Sequence, residues 1–117
     1  MTYLVNSAVM PQGRYGLYSY RPATIYDLVA AIAGKHESFI GYQQTADMIA
    51  RWCKCPAPRV SRELLPSLIG GDILFVVRLN YRIADPTTKG VPVSESISDW
   101  EIAKITYIGE RFSREEI

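Results

Sequence analysis

Apolar positions along this chain recur with two periods, and the switches between them lay out the elements in order. Residues 2–8 hold Tyr3, Leu4 and Val5 ahead of the polar pair Asn6-Ser7, which predicts a core strand that stops there. Pro11-Gln12-Gly13 is a turn signal. Residues 14–21 carry Tyr15, Tyr18 and Tyr20 and predict a return strand at a sheet edge, closed by Pro22. The spacing then becomes helical: Ile25, Leu28, Val29 and Ile32 follow Thr24, a good N-cap with Asp27 three residues on. Gly34 suits a left-handed position at the end of that helix, and Lys35 places a positive charge near the negative end of its dipole.

Residues 37–40 predict a short strand, after which Gly41 opens a second helix. Its apolar stripe is Ala46, Ile49, Ala50 and Cys53, and Pro56 and Pro58 end it. Residues 59–65 fit a strand or a loop equally well, and Gly70-Gly71 marks a turn. Ile73 to Val77 is a continuous apolar run, the pattern of a central strand buried on both faces. Residues 84–91, with Pro86 and Gly90, predict a loop, and Ser94 or Ser96 can cap a short helical turn. In residues 101–108, Ala103, Ile105 and Tyr107 alternate with Lys104 and Thr106 as in a final strand. The order β, β, α, β, α, β, α, β predicts an α/β fold: a mixed sheet of about five strands flanked by two to three helices. One domain is expected over residues 1–110, with a polar tail at 111–117.

Composition narrows the function. The 117 residues are 48% hydrophobic and 21% charged, the balance of a folding globular chain, and 117 residues suffice for one core. A formal net charge of +1 argues against the broad cationic surface that duplex nucleic acid requires, yet leaves room for a few arginines to hold a small anion. The opening residues do not form a signal-peptide core and no run is long enough to span a membrane, so a cytosolic location is expected. Cys53 and Cys55 are too close for an ordinary disulfide and are expected as reduced thiols. With His36 as the sole histidine they do not make up a zinc site, so neither a metal nor a cofactor is expected.

No nucleophilic triad, paired-acid motif or glycine-rich phosphate loop is present. What a mixed sheet would gather is Asn6 and Ser7 at a strand end, Gly41-Tyr42 at a helix start, and Arg59, Arg78, Asn80 and Arg82. Free amides at a helix start and bidentate guanidinium groups favour phosphates. Each residue also has a plainer role. Arg78, Asn80 and Arg82 share one strand face and suit a solvated surface, Asn6 suits a bond to its own backbone, and His36 suits a surface loop. Trp52, Trp100 and the tyrosine stripe suit a core or an interface, and aromatic rings of this kind also stack on bases.

Several segments together resemble a family of small viral and phage proteins, the ring-nuclease anti-CRISPR proteins that degrade cyclic tetra-adenylate. Tyr3-Leu4-Val5-Asn6 is similar to that family's first strand. The run from Ser38 through Phe39-Ile40-Gly41-Tyr42-Gln43-Gln44 to Thr45-Ala46 resembles its Ser-x-Ile-Gly-His-x-x-Thr-Ala motif. Arg59-Val60 resembles its Asn-Arg-Val, and Gly71-Asp72 through Val77, Leu79 and Arg82 resembles a later strand. The resemblance implies a homodimer with the ligand in its cleft, cut by a histidine with help from an arginine and a glutamate. Those catalytic positions fall here on Tyr42, Arg82 and Asp85, with Arg59 at a basic position near the ligand. An ordinary phenol titrates near about 10 and does not shuttle protons at neutral pH as imidazole does. Binding and sequestration of a cyclic nucleotide by a counter-defence protein is therefore expected ahead of turnover. The alternatives are a slow ring nuclease and a structural or protein-binding module.

Overall fold

The apolar run at residues 73–77 becomes the middle strand of the sheet. In the computed structural model, which describes residues 1–6, 17–61, 63–79 and 97–109, the chain runs β1 (Thr2–Val5), β2 (Leu17–Pro22), α1 (Ile25–Ala33), β3 (His36–Phe39), α2 (Gln43–Cys53), β4 (Ile73–Leu79), one 3-10 turn (Ile97–Asp99) and β5 (Trp100–Gly109). The five strands lie in the order β2-β5-β4-β1-β3. β1 is parallel to β3 and β4, whereas β5 is antiparallel to β4 and β2, so the sheet is mixed and the fold is α/β. β2 is an edge strand, as its aromatic composition predicts.

Strand side chains alternate between faces, and each face of β4 meets its own core. Phe75 and Val77 join Leu4, Trp100 and Ile102 on the side where α1 contributes Leu28 and α2 contributes Ala46, Met48 and Ile49. Leu74 and Val76 join Tyr3, Val5, Ala103, Ile105 and Tyr107 on the other side, covered by Leu65 and Leu68 from the segment ahead of β4. Two covered faces explain why β4 reads as an unbroken apolar run. On the helix side Trp52 and Trp100 pack edge to face with centroids 5.3 Å apart.

The start of α1 follows the sequence pattern closely. The Asp27 amide donates to Thr24 Oγ1 at 3.2 Å and the Thr24 amide donates to Asp27 Oδ2 at 2.9 Å, a complete capping box. The Thr24 amide first, helped by the Thr24 hydroxyl, holds the Asp27 carboxyl below its ordinary range. The end of α1 departs from expectation. Gly34 is extended (φ −94°, ψ −177°), because the chain must enter β3 two residues later; the left-handed position falls instead on Lys54 after α2 (φ 53°, ψ 51°). His36 is the first residue of β3 rather than part of a surface loop, and its Nδ1 lies 2.9 Å from the Gly34 carbonyl oxygen. The buried stripe of α2 is Thr45, Ala46, Met48 and Ile49, so Ala50 and Cys53 sit at its margin. Among the described residues the third predicted helix corresponds to the 3-10 turn at Ile97–Asp99. Ser7 and the predicted turn and loop at 11–13 and 84–91 lie outside the described residues.

The turn into β4 is fixed by bonds to β5: the Gly71 amide donates to Tyr107 O at 2.7 Å, and the Tyr107 amide donates to Asp72 O at 2.8 Å. A methyl group added at Gly70 would lie 2.8 Å from the Ile108 carbonyl oxygen, so backbone must move. Gly70→Ala is expected to cost about 1–3 kcal/mol, read from urea unfolding. The buried Asp72 carboxylate accepts from the Ile69 amide at 2.9 Å and from the Met1 ammonium, also at 2.9 Å. Burial alone pushes this carboxyl up, but the Ile69 amide and the ammonium together hold it below its ordinary range. A depressed folded pKa contributes stability above the unfolded carboxylate value that is lost as pH falls through the folded value. Asp72→Asn is therefore expected to remove part of the acid-side decline in stability, measured as unfolding free energy from neutral pH downward.

Candidate functional site

Parallel pairing brings the carboxyl ends of β1, β3 and β4 to one side of the sheet, the side where open α/β sheets hold ligands. Asn6 follows β1 and Gly41 follows Ile40 beyond β3, and the two meet: Gly41 N–H donates to Asn6 Oδ1 at 2.6 Å. Gly41 matters sterically, since a Cβ there would lie 3.3 Å from Asn6 Oδ1 and 3.9 Å from the Ser61 carbonyl oxygen. The segment after α2 closes the same corner. Val60 bridges Ile40 in parallel, and the Ser61 amide donates to Ile40 O at 2.8 Å. Ser38 Oγ donates to Arg59 O at 2.6 Å, which gives the motif serine a structural task.

Tyr42 is the N-cap of α2 (φ −124°, ψ 130°); its side chain makes no capping bond and is 58% exposed. A helix start without a side-chain cap leaves amides and a positive dipole end for another acceptor. Asn6, Gly41 and Tyr42 thus form one corner at the carboxyl side of the sheet.

The arginines lie on either side of it. Arg59 lines a cleft of 310 Å³ with His36, Glu37, Ser38, Phe39 and Glu63, along the outer strand β3. Its guanidinium donates to Glu63 Oε1 at 2.9 Å, an exposed pair of small energetic worth. Arg78, on β4, points to the face opposite the helices with Leu74 and Val76. Its Nε donates to Glu101 Oε1 at 2.7 Å, and the Tyr20 hydroxyl donates to Glu101 Oε2 at 2.5 Å. The phenol first, and then the guanidinium, hold the Glu101 carboxyl below its ordinary range. Arg78 does not line the Arg59 cleft, and β1 stands between β3 and β4. Ser7, Asn80, Arg82 and Asp85 lie outside the described residues.

Sequence reasoning overlooked Glu63 and Glu101, the carboxylates that hold Arg59 and Arg78. The Arg59–Glu63 spacing was a visible signal, whereas the Glu101 pairing follows only from the β4–β5 register that sets Arg78 opposite Glu101. Both cysteines are free, and burial pushes the Cys53 thiol up to about 11, with a smaller contribution from Cys55. Among the described residues no group of three histidines, cysteines or carboxylates is placed to hold a metal ion. No helix among them is long and apolar enough to cross a membrane.

The STIV B116-like family model matches residues 2–107, nearly the whole chain. The chain belongs to the STIV B116-like family. Among solved structures, B116 of Sulfolobus turreted icosahedral virus (STIV) is similar to it with a TM-score of 0.64 and 11% identity, over 91% of this chain and 98% of that one. At that identity the likeness shows the shared fold alone. No curated protein matches. This STIV B116-like chain is thus a member of a family represented in an archaeal virus, built on the mixed sheet described above.

Proposed function

We propose that the chain captures a cyclic nucleotide second messenger at the Asn6–Gly41–Tyr42 corner and holds it intact, as a counter-defence protein of a virus or mobile element. The observation that carries this reading is the Gly41–Asn6 bond, which fixes a helix start without a side-chain cap at the carboxyl ends of parallel strands. Backbone amides at such a start suit phosphate oxygens, and the exposed Tyr42 ring offers a hydroxyl donor and a face for a base. Arg59, first released from Glu63, and Asn80, Arg82 and Ser7 are the further candidate contacts, whereas Arg78, on the face opposite the helices, is not among them. Tyr42 stands where the resembled ring nucleases carry histidine, which favours capture over cutting.

The test is to incubate the purified chain with cyclic oligoadenylates, cyclic dinucleotides and cyclic ADP-ribose isomers, remove the excess, heat, and identify what is released by mass spectrometry. Intact ring is the expected product. Linear products that grow with time would instead mark a slow ring nuclease, and recovery of no nucleotide would leave a protein-interaction module.

A further inference from the structure

β3 stands at the end of the sheet, with β1 on one side and no further strand on the other among the described residues. Its backbone therefore has an open edge. The chain begins to cover that edge and then leaves it: Val60 bridges Ile40 in parallel and the Ser61 amide donates to Ile40 O at 2.8 Å, but this bridge is isolated. Strand amides and carbonyls turn to the same side at every second residue, so the outward groups ahead of Ile40 are those of Ser38 and His36. The Ser38 hydroxyl reaches Arg59 O at 2.6 Å. Among the described residues, no backbone group is bonded to the outward amides and carbonyls of Ser38 and His36.

The cleft of 310 Å³ lies along this edge. Glu37 and Phe39 register with Tyr3 and Val5 on the face opposite the helices, and His36 and Ser38 register with Thr2 and Leu4 on the helix face, yet all four line the cleft. A hollow that meets both faces of one strand runs along its outer edge. Arg59 and Glu63 complete the lining, and their charges neutralise each other at 2.9 Å. Glu37, exposed and without an ion-pair partner among the described residues, is left as the unmatched charge. Phe39, two residues on and on the same face, packs edge to face on Tyr3 with centroids 5.7 Å apart. A strand laid beside β3 thus meets a carboxylate and then an aromatic ring on one face, which a basic and then an apolar side chain would match.

We infer that the open edge of β3 takes up an extended segment of a partner protein as an added strand, with a Lys or Arg opposite Glu37 and an apolar residue opposite Phe39. Backbone bonds to Ser38 and His36 supply the attachment, and the alternate side chains supply the selection. The inference does not rest on the proposed nucleotide site. None of Asn6, Gly41 or Tyr42 lines the cleft, and Arg59 stays with Glu63 when the strand is added.

The probe is the capped pentapeptide acetyl-Thr-Lys-Thr-Val-Thr-amide, titrated into the isotope-labelled full chain and followed by backbone amide shifts. Saturable shifts centred on residues 36–40 and 59–61 are expected, with half-saturation at or below roughly 1 mM. Two N-methylated peptides test the edge itself, one methylated at the Lys and Val amides and the other at the three Thr amides. Alternate amides face opposite ways, so one version is expected to bind at least about tenfold more weakly than the other. Glu37→Lys is expected to weaken the Lys peptide at least about threefold and to prefer the same peptide with Glu in place of Lys. Glu37 is exposed, so this variant is expected to melt as the wild type does. An absence of shifts, equal binding of the two methylated peptides, or a Glu37→Lys chain indifferent to the peptide's charge would each overturn the inference. So would shifts along this edge from cyclic tetra-adenylate and none from the peptide, which gives the cleft to the nucleotide. Self-association through this edge that the peptide does not reverse would also overturn it, since a second copy would then hold the edge.

Discussion

On the proposed function, Tyr42→His is expected to give an enzyme that opens cyclic oligoadenylate where the parent chain would only hold it. The side chain sits at the N-cap of α2 and is exposed, so imidazole can be accommodated there without disturbing a core. The positive end of the helix dipole favours the neutral imidazole, the form that accepts a proton near neutral pH. A well-placed general base contributes about 10²–10⁴-fold, so linear product is expected to appear at least about 100 times faster than with the parent chain. Its rate is expected to rise with pH through an imidazole titration lowered by the dipole to below about 6.5, and then level off. Chromatography of the reaction over time reads both. A Tyr42→His variant that binds the ring and yields no product at any pH would show that this corner does not face the scissile phosphodiester.

The largest effect on stability is expected from Leu28→Ala. Leu28 is the one α1 residue that is fully buried, at 0% exposure, and it ties α1 to Leu4 and the α2 residues in the helix-side core. Truncation removes the transfer free energy of the lost carbons and leaves a cavity, together about 2–5 kcal/mol. For a chain of this size that lowers the melting temperature by roughly 10 °C or more. Calorimetry that returned a loss below about 1 kcal/mol would mean that α1 is only loosely seated on the sheet.

Local signals carried much of the fold. The apolar run of β4, the alternation in β5 and the Thr24–Asp27 capping box each depend on neighbours within a few residues, and each appears where the sequence places it. Elements that answer to distant partners were harder to read. Nothing near Gly34 reveals that β3 must begin at once and deny it the left-handed conformation. Thr45 and Met48 are buried because α2 rolls onto the sheet by an angle that only packing sets. The site divides in the same way. Gly41 and Tyr42 stand out in a compact motif, and Asn6 marks a strand end, so their meeting across 35 positions follows once β1 and β3 are parallel neighbours. The state of the arginines was not legible, because the Arg78–Glu101 pair exists only through strand register and the Arg59–Glu63 pair through a non-helical segment. In isolation each guanidinium looks available; in the fold each already holds a carboxylate, and an incoming phosphate must compete for it.

Asn6→Asp offers the sharpest test of the nucleotide corner. The substitution keeps a side-chain oxygen for the Gly41 amide, so the β1–β3 junction can close as before, while it sets a negative charge beside the helix start where phosphate would bind. Titration calorimetry with cyclic tetra-adenylate on the wild type and on Asn6→Asp, at matched melting temperatures, is the deciding measurement. Saturable binding by the wild type and a loss of at least about tenfold in the variant is the predicted result. Equal affinity in the two proteins would contradict it, as would a wild type that releases no heat with this ring or any other cyclic nucleotide.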